Sequence, residues 1–345
     1  MDRATDAYAA AGVDISAGNA AVSLYKQLTG SWKHPDQIGE LGAFNGLFRL
    51  PGDPEQALVA STDGVGTKIL VAAILRRYDS VGADLVNHCV NDILVANATP
   101  LFFLDYVAVG KLVPEMAAEI VAGIHQACRE NHTALLGGET AEMPGLYKPG
   151  EFDLAGTIVG IVRLADLPKT DSVVAGDAII ALPAIGLHTN GYSLARTLVP
   201  EDEWGAPLPD GGGVTFGDAL LAPHPSYLQE VKAIREVAHV KSMSHITGGG
   251  LLENVPRTLP PLCKAIFEQT RWQVPALMRE LVRRGNLSHE DRYRTFNMGV
   301  GYTLTVALNE APKALAAAPG AFVAGWIEAR GDGEPAVVVH PARER

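Results

Sequence analysis

The segment Ser61-Thr-Asp-Gly-Val-Gly-Thr-Lys68 brings a carboxylate, two glycines, a hydroxyl and an amine into one short stretch of chain. An apolar run, residues 57–60, precedes it and is typical of a strand, while a second run, residues 69–75, is typical of the start of a helix. This mixture suits a metal-bound phosphate, because a carboxylate binds Mg²⁺, glycine leaves N–H groups accessible to phosphate oxygens, and an amine neutralises charge. A glycine-rich turn whose polar groups face water is the alternative.

A second group of polar residues repeats every three to four positions along a predicted helix, Ala83–Asn97. This spacing places them on one helical face, opposite an apolar face, and the group comprises Asp84, His88, Asn91 and Asp92. Solvated helix faces usually carry Lys and Glu, whereas these short side chains hold polar groups close to a rigid backbone. The pattern therefore favours a site that positions Mg²⁺, with an ordinary solvent-facing stripe as the alternative.

Two glutamates follow a predicted strand in the segment Gly137–Gly145, flanked by Gly-Gly and Pro-Gly. We interpret the segment as a shaped loop at a strand end. Carboxylates there could complete a metal site or act as acid or base. A surface loop whose glutamates point into water is the alternative.

Two further segments combine glycine with groups that suit catalysis or phosphate binding. His188 and Asn190 lie at a predicted loop-to-helix junction, and an imidazole titrates near neutral pH. Thr247–Gly250 enters another predicted helix, where free N–H groups and the helix dipole attract phosphate. A structural histidine and a flexible turn are the respective alternatives.

Composition limits the class of protein. The 345 residues predict two domains, and 47% hydrophobic residues suffice for a packed core. A net charge of −11 argues against nucleic-acid and membrane-surface partners. Three separated cysteines fit reduced thiols, the start of the chain has no secretory pattern, and no apolar run reaches the ~18 residues of a membrane span. We therefore expect a cytoplasmic protein.

Strand and helix patterns alternate without strict βαβ order, which favours an α+β fold. Helical periodicity is clearest in Pro114–Glu130, where a buried stripe is expected at Met116, Ile120, Ile124 and Cys128. The strand-like runs are 57–61, 101–109, 133–136, 154–162, 177–182 and 300–308. A polar passage at 164–176 predicts domains at residues 1–168 and 169–345.

The chemistry-bearing segments, in this order, resemble the phosphoribosylformylglycinamidine cyclo-ligase (AIR synthetase) family over nearly the whole chain. Each motif is weak alone, but the ordered set is specific. The matching segments are 8–19, 62–68, 89–92, 100–106, 137–145, 188–196, 247–256 and 294–301. One segment departs from the pattern, because Pro225 stands where the family usually has an arginine, and this puts a contact with the substrate phosphate in doubt.

The resemblance implies ATP-dependent cyclisation of formylglycinamidine ribonucleotide (FGAM) to aminoimidazole ribonucleotide (AIR), ADP and phosphate in de novo purine synthesis. It implies an N-terminal mixed-sheet domain that binds ATP and metal and forms a homodimer through its sheet. The C-terminal α+β domain, a sheet with flanking helices, would complete the active site.

We accordingly assign candidate roles. The metal ligands are predicted to be Asp63, Asp92 and Glu139. The catalytic groups are predicted to be His188, Asn190 and Glu142. ATP is predicted to contact Asp14, Lys26, Gly64, Gly66, Thr67, Lys68 and Asn91, with the N-terminal segment folding over the nucleotide as a lid. A phosphate, from FGAM or from ATP, is predicted to contact Thr247, Gly248, Gly249 and Gly250.

Two other functional classes remain open at this point. One is a related ATP-dependent phosphotransferase of the same superfamily, such as thiamine-monophosphate kinase or selenophosphate synthetase. The latter needs a reactive Cys near the N-terminus, whereas the first cysteine here is Cys89. The other is a non-catalytic nucleotide-binding dimer with a regulatory role, a class suggested by Pro225.

Overall fold

The computed structural model describes residue 12 and residues 15–342. Within them the chain forms two six-stranded sheets, each with helices packed against it. Strands of the first sheet lie between residues 37 and 163, and those of the second between 178 and 340. The predicted α+β class is confirmed, while the boundary after residue 168, in the connection between the sheets, stays a prediction.

The first sheet is mixed and carries one parallel pair. Its strands are β1 (Gln37–Ile38), β2 (Gly46–Leu50), β3 (Asp53–Gly64), β4 (Thr99–Val109), β5 (Ala134–Glu142) and β6 (Phe152–Arg163). Their spatial order is β1-β2-β3-β6-β4-β5, and only β4 and β5 run parallel. This order leaves β5 at an edge, and two strands separate it from β3.

The helices of this part of the chain are α1 (Ile15–Thr29), α2 (Lys68–Leu75), α3 (Asp79–Leu94) and α4 (Pro114–Glu130). Two of them, α3 and α4, cover one face of the first sheet. Helix α3 packs against β3, β4, β6 and α4. The predicted apolar stripe of α4 is buried, so that prediction is confirmed. Apolar burial on this face is the main force that fixes α3 on the sheet.

The second sheet is antiparallel except at one edge. Its strands are β7 (Ala178–Pro183), β8 (Val240–His245), β9 (Cys263–Glu268), β10 (Val300–Val306), β11 (Phe322–Ala329) and β12 (Val337–His340). They lie in the order β12-β9-β11-β7-β10-β8, with β9 and β12 parallel. The helices are α5 (Tyr192–Leu198), α6 (Phe216–Leu220), α7 (Leu228–Val237), α8 (Gly250–Asn254), α9 (Ala276–Gly285), α10 (His289–Thr295) and α11 (Ala311–Ala317). In the described part of the chain, each helix is too short or too polar to cross a bilayer.

The structure corrects two local predictions. The helix expected at Ala83–Asn97 runs from Asp79 to Leu94, and its polar face is buried rather than open. The loop expected at Gly137–Gly145 is largely strand, because β5 continues through Glu142 in register with β4. Pairing with a neighbouring strand thus overrides the weak strand propensity of two glycines.

Candidate active site between the two sheets

A cavity of about 470 Å³ lies between the two halves of the chain. The turn after β3 forms one wall, and the loop before α5 with the loop before α8 forms the other. The lining residues are Asp63, Gly64, Gly66, Thr67, His88, Thr189, Asn190, Gly191, Tyr192, Ser193, Thr247 and Gly248. Seven of the residues predicted from the sequence therefore share one cavity.

Asp63 presents its carboxylate to this cavity from the end of β3. Its side chain is 40% exposed, Oδ1 accepts the Gly64 N–H at 2.7 Å, and Oδ2 lies 2.6 Å from His88 Nε2. Burial favours the neutral carboxyl, but His88 outweighs it and lowers the pKa of Asp63. Asp63 thus presents an anionic carboxylate oxygen at the cavity wall, which is the type of donor that a Mg²⁺ site requires.

His88 lines the cavity, although the sequence assigned it no individual role. It lies on α3, its Nε2 contacts Asp63 and its Nδ1 lies 2.7 Å from the hydroxyl oxygen of Thr189. Burial opposes the imidazolium, yet Asp63, with help from Asp92, raises the pKa of His88 to about 9. The signal in the sequence was its position four residues before Asp92 on the polar face of α3.

Asp92 is held behind His88 rather than open to the cavity. Its Oδ1 lies 2.8 Å from His245 Nδ1, and its Oδ2 accepts the Ser61 hydroxyl at 3.0 Å. His88 Nε2 lies 4.0 Å away, between the two aspartates. A metal bound by both Asp63 and Asp92 would have to displace these partners, so the donor arrangement fits an ion at Asp63 alone.

Glu139 and Glu142 do not reach the cavity of their own chain. Both lie on edge strand β5 and are exposed, and Glu142 accepts the Leu112 N–H at 2.7 Å. Three strand spacings, roughly 14 Å, separate β5 from β3. The predicted metal and catalytic roles of these glutamates are therefore not supported within one chain, because the strand order was not readable from the sequence.

Lys68 is the clearest correction to the predicted phosphate site. Its side chain is 0% exposed, its Nζ lies 2.6 Å from Asp84 Oδ2, and it also donates to the Ala222 carbonyl at 2.7 Å. Burial lowers the pKa of Lys68 and raises that of Asp84. The ammonium therefore links α2, α3 and the second half of the chain, and it does not face a phosphate.

The polar face of α3 is a clamp on the loop 222–227. Asp84 accepts the His224 N–H at 2.6 Å, and Asn87 donates to the His224 carbonyl at 2.8 Å. Asn91 donates to the Pro225 carbonyl and accepts the Tyr227 N–H, both at 2.9 Å. The amide of Asn91, predicted to bind nucleotide, is thus committed to this clamp, which also fixes Pro225.

His188 lies behind the cavity wall. It is fully buried, and its ring stacks on His224 with centroids 4.1 Å apart and planes 13° apart. Burial, reinforced by nearby cationic groups, lowers the pKa of His188 well below its ordinary value. The predicted proton transfer by His188 does not fit this position, whereas its neighbour Asn190 does line the cavity.

Three buried histidines, His188, His224 and His245, have one nitrogen each within 4.8 Å of the others. This spacing alone would suit a transition metal. However, imidazole lone pairs lie in the ring plane, and the stacked rings of His188 and His224 direct theirs side by side. The cluster is therefore a packed, hydrogen-bonded core, in which His224 and His245 approach through their Nε2 atoms at 3.0 Å.

Only part of the glycine-rich loop Thr247–Gly250 lines the cavity, and the rest forms the turn into α8. Thr247 and Gly248 line the cavity, whereas Gly249 and Gly250 adopt φ of 92° and 57°. A Cβ at Gly250 would overlap the Tyr293 carbonyl oxygen, so this position needs glycine. Two of the four predicted residues thus form the turn and do not themselves line the cavity.

The remaining predicted contacts lie in the N-terminal segment. Lys26 is on the last turn of α1, exposed to solvent, and is not among the residues lining the cavity. Asp14 lies outside the described residues. The expected lid over the nucleotide therefore stays a prediction.

Solved structures share the architecture. A structure described as "AaThiL complexed with AMPPCP and TMP" superposes with a TM-score of 0.64, covering 94% of this chain and 94% of that chain at 15% identity. At this identity the likeness concerns the fold alone.

Sequence comparisons go further. Residues 42–162 match the family described as AIR synthase related protein, N-terminal domain, and residues 174–338 match its C-terminal domain. The chain is 49% identical to "Phosphoribosylformylglycinamidine cyclo-ligase" of Desulfitobacterium hafniense (strain DSM 10664 / DCB-2), covering 87% of this chain and 88% of that protein. It is 45% identical to the protein of the same name from Trichlorobacter lovleyi, covering 95% of each. With both domains matched and its relatives aligned over most of its length, this chain belongs to the AIR synthase related protein family.

Proposed function

We propose that this chain catalyses the ATP-dependent cyclisation of FGAM to AIR, with release of ADP and phosphate, in purine synthesis. The observation that carries the proposal is the 49% identity, over 87% of the chain, to a protein named phosphoribosylformylglycinamidine cyclo-ligase. The cavity is compatible with it, because one wall supplies a carboxylate with a glycine-rich turn and the other supplies an amide with hydroxyl groups.

The reaction explains why such a site is needed. A formamide carbonyl is a poor electrophile, so its oxygen attacks the γ-phosphorus of ATP and ADP leaves. The amidine nitrogen of the same substrate then attacks the activated carbon. The C–O bond breaks, phosphate departs with the former formyl oxygen, and loss of a proton gives the aromatic imidazole. The protein has to orient two anionic substrates and exclude water while the phosphoryl group moves.

Different residues of the cavity would bind the metal, bind the phosphates and orient the substrate. Asp63 would hold a Mg²⁺ ion, which would screen the charge of the transferring phosphoryl group. Gly64, Gly66 and Thr67 would hold ATP phosphates with N–H and hydroxyl donors. Asn190, on the opposite wall, would orient the formyl group through its amide. Thr247 and Gly248 would bind a phosphate of either substrate.

One assay tests the function. Purified protein is incubated with FGAM, ATP and Mg²⁺, and both ADP and the diazotisable aminoimidazole are measured. We expect the two products in equal amounts, and both should depend on FGAM. ADP without aminoimidazole would contradict the proposal and favour a related phosphotransferase, while bound ATP without either product would favour a regulatory role.

Asp63→Asn tests the assigned site independently. The change keeps the side-chain volume and removes the negative charge that a Mg²⁺ ligand needs. We expect loss of FGAM-dependent ADP release with the fold retained, as checked by circular dichroism below the melting transition, although the loss of the ion pair with His88 should lower the melting temperature. Near-normal turnover in this variant would refute the metal assignment.

A homodimer formed through the first sheet is part of the proposal. The sheet face opposite α3 and α4 carries exposed apolar side chains, namely Leu101, Leu104, Tyr106 and Leu136. An apolar patch of this kind favours an interface. Light scattering should give twice the chain mass, and Leu136→Lys should reduce it to one chain mass. Leu262→Lys, at a still more exposed position in the turn before β9, is the control and should leave the dimer intact. A monomeric wild type would contradict the proposed homodimer.

The cytoplasmic location stays a prediction.

A further inference from the structure

Among the described residues, His88 is the only histidine that lines the cavity, and it connects the two walls. Its ring joins Asp63, at the end of β3, to Thr189, in the loop before α5. The two contacts measure 2.6 and 2.7 Å, and the ring is almost completely buried on α3. One side chain therefore contacts both halves of the chain at the cavity.

The partners of His88 determine the direction of each hydrogen bond. Ionised Asp63 can only accept, so Nε2 carries a proton and donates to Oδ2. In the neutral ring, Nδ1 then accepts the Thr189 hydroxyl proton, and in the imidazolium it donates to the same oxygen. The bond to Asp63 is thus present in both protonation states.

Asp63 depends on this bond for its orientation. The only other hydrogen bond to its carboxylate among the described residues is from the adjacent Gly64 N–H to Oδ1. Because the side chain is 40% exposed, Oδ2 would be free to rotate towards water without His88. Partners that hold a metal-binding carboxylate commonly change metal affinity by about 10–100-fold when removed.

We propose that His88 is a positioning residue that holds the Asp63 carboxylate in its metal-binding orientation and ties it to Thr189 across the cavity. This inference rests on the proposed role of Asp63 as the metal ligand. It adds a residue that acts on the metal subsite without contacting substrate. Because His88 also contacts Thr189, a movement of the second half of the chain would change the orientation of the Asp63 carboxylate.

The test is a matched pair of substitutions at one position. A glutamine amide reaches about as far as Nε2 of histidine and keeps a donor for Asp63, whereas an asparagine amide reaches only about as far as Nδ1. Mn²⁺ serves as the probe, and its dissociation constant is measured by electron paramagnetic resonance in the presence of a non-hydrolysable ATP analogue. We expect His88→Asn to raise that constant 10–100-fold. His88→Gln should stay within about threefold of wild type on the same argument.

Controls separate positioning from folding and from the proposed reaction. Asp63→Asn should weaken Mn²⁺ binding at least as much as His88→Asn, and each variant should give the circular dichroism spectrum of the folded wild type at the temperature of the binding measurement. Unchanged Mn²⁺ affinity in His88→Asn, or equal losses in the Asn and Gln variants, would overturn the inference. AIR formation is measured separately on the wild type. Its absence would refute the proposed function, while the Mn²⁺ constants would still decide the role of His88.

Discussion

Replacing Lys68 by methionine would separate the structural role seen here from the phosphate role expected from the sequence. The change removes an ammonium that is 0% exposed and lies 2.6 Å from Asp84. Asp84 would then keep one donor, the His224 N–H, and the Ala222 carbonyl would lose its partner. Breaking one side of a buried ion pair costs about 3–5 kcal/mol. Burial raises the pKa of Asp84, so its carboxyl can take up a proton and limit the loss to about 3 kcal/mol.

Urea unfolding of the wild type, Lys68→Met and the double variant Lys68→Met/Asp84→Asn measures this loss. The asparagine keeps an acceptor for the His224 N–H but has no charge to bury, so the double variant should recover most of the stability. Binding of a fluorescent ATP analogue should change little in the single variant. A single variant as stable as wild type, with nucleotide affinity reduced more than tenfold, would refute the buried-pair interpretation.

Three further outcomes follow from buried groups. Burial holds the pKa values of His188 and His224 well below the unfolded value of about 6.5 and also lowers that of His245, so stability is present above that pH and is lost as pH falls below it, by about 2.7 kcal/mol per pH unit or more. Unfolding free energies from urea titrations should show this slope, His188→Asn should reduce it, and a flat profile between pH 6.5 and 5 would contradict it. Gly250→Ala should lower the melting temperature, because a Cβ there meets a backbone oxygen, whereas Gly205→Ala, in open space, should not. Asn91→Ala should cost about 3 kcal/mol of unfolding free energy through three lost hydrogen bonds, with ATP affinity unchanged. Reduced ATP affinity at full stability would count against the clamp.

Much of the fold was predictable from the sequence because its signals are local. Apolar runs identified the six strand-like segments, and four-residue periodicity identified α4 with its buried stripe. The order of strands was not predictable, since pairing depends on contacts distant in the chain. That missing information is why Glu139 and Glu142 were assigned to the site although β5 lies at the far edge of the sheet.

Some residues predicted for the site line the cavity because local chain geometry places them there, and their roles stay predictions. Asp63 lies at the end of β3, Asn190 and Gly248 lie in loops, and all three line the cavity. Prediction failed for Lys68 and His188, because side-chain burial is decided by the other half of the chain. The local sequence around a lysine near two glycines does not distinguish an ammonium that binds phosphate from one that pairs with a buried aspartate.

The clamp between α3 and the loop 222–227 has a consequence for how this molecule can be divided. Four hydrogen bonds between α3 and this loop and the bond from Lys68 to the Ala222 carbonyl join the two halves of the chain, and at about 1 kcal/mol for each hydrogen bond they make each half contribute to the stability of the other. Expressed alone, the first half would expose the polar face of α3, and the second would leave the loop without its support. The two sheets are separate in sequence, yet calorimetry should find a single cooperative unit.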